Sequence, residues 1–130
     1  MDASPPSRFP LVLLVDDQEP VRVALRALLE AVGYNVIAAA SGAEAITLCV
    51  GNPIDLTVCD IRLQDMSGLE LLHRIDALLP GVPAVLISGY SDRLPPLGPN
   101  RRFLDKPLVL DDLTEAIESL LSGHANPSPS

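Results

Sequence analysis

Three kinds of side chain in this sequence could do chemistry together: the carboxylates of adjacent Asp16 and Asp17 and of Asp60, the hydroxyl of Ser88 and the ammonium of Lys106. Packed within a few ångströms, three carboxylates repel one another by about 4 kcal/mol per pair at an effective dielectric near 20. A hard divalent cation removes that cost, and a few charged oxygen donors with room for water suit Mg²⁺ better than zinc. A serine hydroxyl can donate to an oxyanion and a lysine can neutralise one, so the set is complementary to a transferred phosphoryl group. Each residue alone has an ordinary explanation: one of the paired acids can cap a helix ahead of Pro20, Asp60 can sit in a turn, and Lys106 can be a solvated charge. The chemistry follows only if the chain brings the set together.

The elements that would do so are legible from hydrophobic periodicity. Leu11 to Val15 is an apolar run that stops at Asp16-Asp17, the pattern of a buried strand with acids at its carboxyl end. Pro20 then fits a helix's first turn, and Val21, Leu25, Leu28, Leu29 and Val32 recur at helical spacing up to Gly33. Tyr34 to Ala38 is a second strand; Ser41 with Glu44 is a capping box for a helix that Gly51-Asn52-Pro53 ends. Ile54 to Cys59 is a third strand ending at Asp60, followed by a helix with Leu69, Leu72, Ile75 and Leu79 inward. Val82 to Ile87 is a fourth strand ending at Ser88, and a fifth centred on Arg102 to Leu104 ends near Lys106. Asp111 or Asp112 caps a last helix.

Five strands alternating with helices predict an α/β fold with a doubly wound parallel sheet, because right-handed crossovers place helices on both faces. In such a sheet ligands bind outside the carboxyl ends of the strands. Those ends carry Asp16, Asp17, Asp60, Ser88 and Lys106, so residues spread over ninety positions are expected in one crevice. One departure stands out. Tyr90 to Asn100 holds Pro95, Pro96 and Pro99 with Gly98, and a proline costs about 3 kcal/mol inside a helix. The helix between the fourth and fifth strands is therefore expected to be short or replaced by loop.

The bulk properties narrow the function classes. A chain of 130 residues is one ordinary domain. With 48% hydrophobic residues but only 3% aromatics, its core must be Leu, Ile, Val and Ala, as in a helix-covered parallel sheet. A formal charge of −8 argues against direct nucleic-acid binding, which relies on clustered Lys and Arg. Cys49 and Cys59 read as ordinary reduced thiols. His73 and His124 read as surface residues. The start lacks the apolar stretch of a secretory signal, and no segment approaches eighteen uninterrupted apolar residues, so no membrane span and a cytoplasmic location are expected. Residues 1–9 read as a disordered N-terminal segment and 123–130 as a disordered, Pro/Ser-rich tail flanking a domain at 10–122.

The text LVLLVDDQEPVR, then DLTVCDIRLQDMSGLELL, then VPAVLISGY, then RFLDKPL resembles the receiver domains of bacterial two-component response regulators, including single-domain regulators and the receivers of hybrid histidine kinases. The resemblance implies a flavodoxin-like five-stranded sheet of order 2-1-3-4-5. It makes Asp60 the phosphoacceptor, Asp17 a direct Mg²⁺ ligand, Asp16 an acid acting through water, and the backbone carbonyl of Arg62 a further ligand. Ser88 and Phe103 become the switch pair, Lys106 the charge-neutralising lysine, and Lys106-Pro107 a cis peptide. The implied partner is a sensor histidine kinase or a histidine phosphotransfer protein, with the receiver a monomer or weak homodimer. Gln64 departs from the family, which commonly has proline there.

Two other functions compete with that of a phosphorylatable signalling domain that is not an enzyme. A Mg²⁺-dependent phosphohydrolase also uses a strand-end aspartate as nucleophile, but such enzymes usually carry a general acid two residues later, where this chain has Arg62. A degenerate module that keeps the fold without phosphorylation is disfavoured by the intact set of Asp16, Asp17, Asp60, Ser88 and Lys106.

Overall fold

A computed structural model of the chain describes residues 9–89 and 98–123. Runs rich in Val, Leu and Ile give five strands, β1 Leu11–Val15, β2 Asn35–Ala39, β3 Leu56–Asp60, β4 Ala84–Ser88 and β5 Arg101–Asp105. They form one parallel sheet in the order β2-β1-β3-β4-β5. The order expected from the sequence is the order found. The helices are α1 Glu19–Val32, α2 Gly42–Gly51, α3 Gly68–Leu78 and α4 Leu110–Gly123, the last following β5. The segment expected to carry a short helix or a loop between β4 and β5 has its prolines at 95 and 96 outside the described residues, as do residues 1–8, His124 and the rest of the tail. Phe9 is described and its carbonyl accepts from Asn35 Nδ2 at 3.5 Å, while α4 runs one residue past the domain boundary expected at 122.

The pleat of the sheet divides the interior in two. Val12, Leu14, Val58, Val85 and Ile87 face Leu25 and Leu29 of α1 and Leu113 and Ile117 of α4. Leu13, Val15, Cys59 and Leu86 face Ala45 and Cys49 of α2 and Leu71, Leu72 and Ile75 of α3. The three inner strands are covered on both faces, which is why their sequences are apolar runs and do not alternate. Cys49 and Cys59 are buried free thiols.

Local signals explain the helix starts, with some differences from expectation. Ser41 Oγ accepts from Glu44 N at 3.1 Å while Glu44 Oε1 accepts from Ala40 N at 2.8 Å, the reciprocal capping read from the sequence. Ser67 and Glu70 make the same N-cap bond for α3 at 3.0 Å. At α4 the helix begins at Leu110, so Asp111 and Asp112 lie in its first turn, where they favour the positive end of the helix dipole without serving as the cap. In α1 only Leu25 and Leu29 are buried; Val21, Leu28 and Val32 are 38–46% exposed, because the helix presents a narrower stripe to the sheet than its apolar residues mark out. β3 starts at Leu56 and β4 at Ala84, two residues later than the apolar runs suggest.

Candidate functional site

Strand register decides which residues meet. β1 pairs with β3 up to Val15 opposite Cys59, so the next residues of each, Asp16 and Asp60, emerge side by side from the carboxyl edge. β3 pairs with β4 up to Asp60 opposite Ile87, and β4 with β5 up to Ser88 opposite Asp105. Lys106 N donates to Ser88 O at 2.8 Å, which extends that pairing one step beyond β5. Asp60 follows the parity of Val58 and shares the α1 and α4 side of the sheet, whereas Ser88 follows Leu86 onto the side where Phe103 packs.

The outcome is a cleft of about 250 Å³ whose lining includes Asp16, Gln18, Asp60, Lys106 and Leu108. Lys106 Nζ reaches across it to Asp60 Oδ2 at 2.8 Å, and the Arg62 N–H donates to Asp60 Oδ1 at 2.9 Å. Both oxygens of the Asp60 carboxylate are thus engaged, and its side chain is only 10% exposed. Asp16 is buried, and its Oδ1 accepts from Gln18 N at 2.8 Å. Burial pushes the Asp16 carboxyl above its ordinary range, with the nearby charges of Asp60 and Asp17 adding to the effect and the Gln18 bond and Lys106 opposing it. Arg22 Nη1 donates to the Asp16 carbonyl at 2.8 Å, fixing the turn that carries both acids.

Among the described residues no three His, Cys, Asp or Glu side chains are grouped closely enough to hold a cation by themselves. The site instead offers carboxylates close enough to perturb one another, with open space beside them. A backbone carbonyl can join them. The bridge of Arg62 with Ser67 is flanked by Leu63 N to Met66 O at 3.2 Å and Gly68 N to Ile61 O at 2.7 Å. Those bonds belong to the neighbours of Arg62, so its own N–H and C=O turn the other way, toward the edge where the N–H meets Asp60. Acidic oxygens plus a carbonyl, with the remaining sphere left to water, is the donor chemistry of Mg²⁺. Asp17 is half-buried beside Asp16.

Of the other residues singled out in the sequence, Ser88 is fully buried with its Oγ 3.5 Å from Asp105 Oδ1. Phe103 is half-buried on the α2 and α3 side, the Lys106-Pro107 bond is cis, and His73 is exposed and apart from the cleft. Sequence reasoning passed over Arg22, Asp65 and Asp105. A separate depression of about 360 Å³ lies at the opposite, amino edge of the sheet around Ile54, Pro80 and Leu120. Its acid, Asp55, accepts from Leu11 N at 2.8 Å, and it gathers no set of charges comparable with the first.

The response regulator receiver domain model matches residues 12–118. The chain belongs to the response-regulator receiver family. Over 115 residues it is 34% identical to the transcriptional regulatory protein ZraR of Escherichia coli (strain K12), a match that takes in 85% of this chain but 26% of that protein. The chain thus spans about a quarter of the length of that curated relative. The crystal structure of the receiver domain from the hybrid histidine kinase CckA superposes with a TM-score of 0.74 at 32% identity, covering 85% of this chain and 98% of that one. The response regulator TrrA from Thermotoga maritima, in complex with Mg²⁺ and BeF, superposes with a TM-score of 0.78 at 27% identity, covering 87% of this chain and 100% of that one. This receiver domain is therefore a phosphoacceptor module of two-component signalling, of a family that is phosphorylated on aspartate, binds Mg²⁺ in its acidic pocket and works with histidine kinases. No helix among the described residues is long and apolar enough to cross a membrane.

Proposed function

We propose that Asp60 accepts a phosphoryl group from the phosphohistidine of a sensor histidine kinase or histidine phosphotransfer protein, with Mg²⁺ held by Asp16, Asp17, Asp60 and the backbone carbonyl of Arg62. The observation that carries this reading is the 2.8 Å pair between Lys106 Nζ and Asp60 Oδ2 in a cleft shared with buried Asp16. When bound, Mg²⁺ would offset the carboxylate repulsion and draw charge from the phosphoryl oxygens. A carboxylate oxygen of Asp60 forms the new O–P bond as the histidine N–P bond breaks, and the imidazole leaves with the electron pair and takes up a proton. Lys106, already on the carboxylate, follows the charge onto the phosphoryl group. Ser88 donates its hydroxyl to a phosphoryl oxygen, and Phe103, on the same face of the sheet, turns into the space that Ser88 leaves.

Hydrolysis as the main activity would need a general acid beside the leaving group, and the residue two past Asp60 is Arg62, whose N–H is tied to Asp60 Oδ1. The domain is accordingly a phosphoacceptor whose chemistry is directed at itself, a monomer or weak homodimer acting in the cytoplasm. The test is intact mass after incubation with Mg²⁺ and acetyl phosphate. The wild type should gain one phosphoryl group and Asp60→Asn none. Sustained phosphate release with no accumulated adduct would favour a hydrolase, and no adduct at all would favour an inert module.

A further inference from the structure

The loop from Ile61 to Ser67, between β3 and α3, carries the Arg62 carbonyl toward the cleft, so whatever fixes this loop fixes a donor of the cation site. Its two limbs are tied to each other by the Leu63–Met66 and Ile61–Gly68 backbone bonds described above. Its middle is held by a different element. Asp65 lays its carboxylate across the first turn of α2, with Oδ1 accepting from Gly42 N at 3.0 Å and Oδ2 from Ala43 N at 2.9 Å. Two N–H groups that a helix start leaves unpaired are thus satisfied by one carboxylate at the positive end of the helix dipole. Next to it the thioether of Met66 lies on buried Gly42 so closely that a Cβ there would come within 2.6–2.8 Å of its Sδ, Cγ and Cε atoms. Adjacent loop residues therefore grip α2, one by charge-assisted hydrogen bonds and one by contact. These bonds also hold the Asp65 carboxyl below its ordinary range although the residue is exposed.

We infer that Asp65 is a positioning residue for the cation: by clamping the loop onto the start of α2, it fixes the place from which the Arg62 carbonyl faces Asp60. The inference deepens the phosphoacceptor reading above and rests on the cation site that this reading assigns. Asp65 itself does not touch the metal, because its two oxygens are turned to Gly42 and Ala43. The clamp also makes α2 part of the site's support, so that binding of the cation tightens the loop against α2, and loosening α2's grip weakens the cation by the same factor.

The experiment is a calorimetric Mg²⁺ titration of the full chain, at a temperature where every variant is folded, for the wild type, Asp65→Ala, Asp65→Asn and Ser41→Ala. Asp65→Ala should weaken Mg²⁺ about tenfold, as loss of a group supporting a metal ligand commonly does. Asp65→Asn keeps one acceptor oxygen and should fall between, which keeps the test open if the alanine variant folds poorly. Ser41→Ala removes the other cap of α2 without touching the loop and should leave the Mg²⁺ affinity unchanged. With acetyl phosphate, Asp65→Ala should be phosphorylated slowly at low Mg²⁺ and recover its rate when Mg²⁺ saturates. Wild-type affinity in Asp65→Ala, or an equal loss in Ser41→Ala, would overturn the inference while leaving the phosphoacceptor reading intact. A wild type that takes up no Mg²⁺ would instead overturn the cation site itself, and the inference with it.

Discussion

Thr57 lies at the centre of β3, three residues before Asp60, and is 1% exposed. Its Oγ1 is buried with no hydrogen-bond partner among the described residues. By register it sits between Leu13 of β1 and Ala84 of β4, on a stretch of sheet that is otherwise apolar. A buried hydroxyl that makes no bond costs about 1–3 kcal/mol, and valine has nearly the same shape. Thr57→Val should therefore raise stability by about 1 kcal/mol, read as a higher urea midpoint with an unchanged slope, and should leave phosphorylation of Asp60 untouched. A lower midpoint would mean that the hydroxyl has a partner, such as a buried water, and would refute the assignment. Cys59, two residues on, shows the opposite use of burial. Its thiol stands directly before Asp60, yet desolvation, with the nearby Asp60 and Asp16 charges, pushes its pKa well above the ordinary 9.0, so it stays protonated and does not compete as a nucleophile.

At the scale of elements, the junction of β3 with α3 leaves no room for a side chain at Gly68. A Cβ on Gly68 would lie 2.5 Å from the Asp60 carbonyl oxygen and 2.9 Å from the Ile61 Cα, and backbone atoms cannot swing away as a side-chain tip can. Gly68→Ala should therefore displace the loop, cost about 1–3 kcal/mol in urea unfolding, and slow phosphorylation of Asp60 by acetyl phosphate. A variant as stable and as readily phosphorylated as the wild type would show that the loop has slack there. The elements were largely legible because periodicity and caps are local: the strand runs, Pro20 and Ser41 each state their role within a few residues. The differences arise where a distant partner decides. Asp55 turns back to the Leu11 N–H, 44 residues away, so β3 begins only at Leu56. Val21, Leu28 and Val32 fit a helical stripe, but the sheet covers only the part around Leu25 and Leu29. The site was legible to the same extent. Acids at strand ends announce themselves once the sheet is parallel, whereas the Asp65 clamp joins residues 22 and 23 apart across a loop with no periodicity.

For the molecule as a whole, the site is a store of unfavourable charge in a chain already at −8. Asp16 makes this measurable. Its folded pKa lies above 3.8, so as pH falls the folded protein takes up this proton before the unfolded chain does. The stabilisation is thus fully present below 3.8 and is lost as pH rises through the raised folded value, the reverse of the usual behaviour of a paired carboxylate. The cation-free protein should lose stability over that interval, and Asp16→Asn, whose Oδ1 can still accept from Gln18 N, should lose less. The difference between the two variants isolates Asp16 from the repulsion of the other acids, which both share. Mg²⁺ should then narrow the gap at neutral pH, since a cation at ten times its dissociation constant adds about 1.4 kcal/mol to the state that binds it and Asp16→Asn binds it less well. Urea midpoints from pH 4 to 7, with and without Mg²⁺, measure both effects. Parallel curves for the two proteins without Mg²⁺ would show that Asp16 carries no burden of charge, and equal stabilisation of both by Mg²⁺ would remove Asp16 from the cation site.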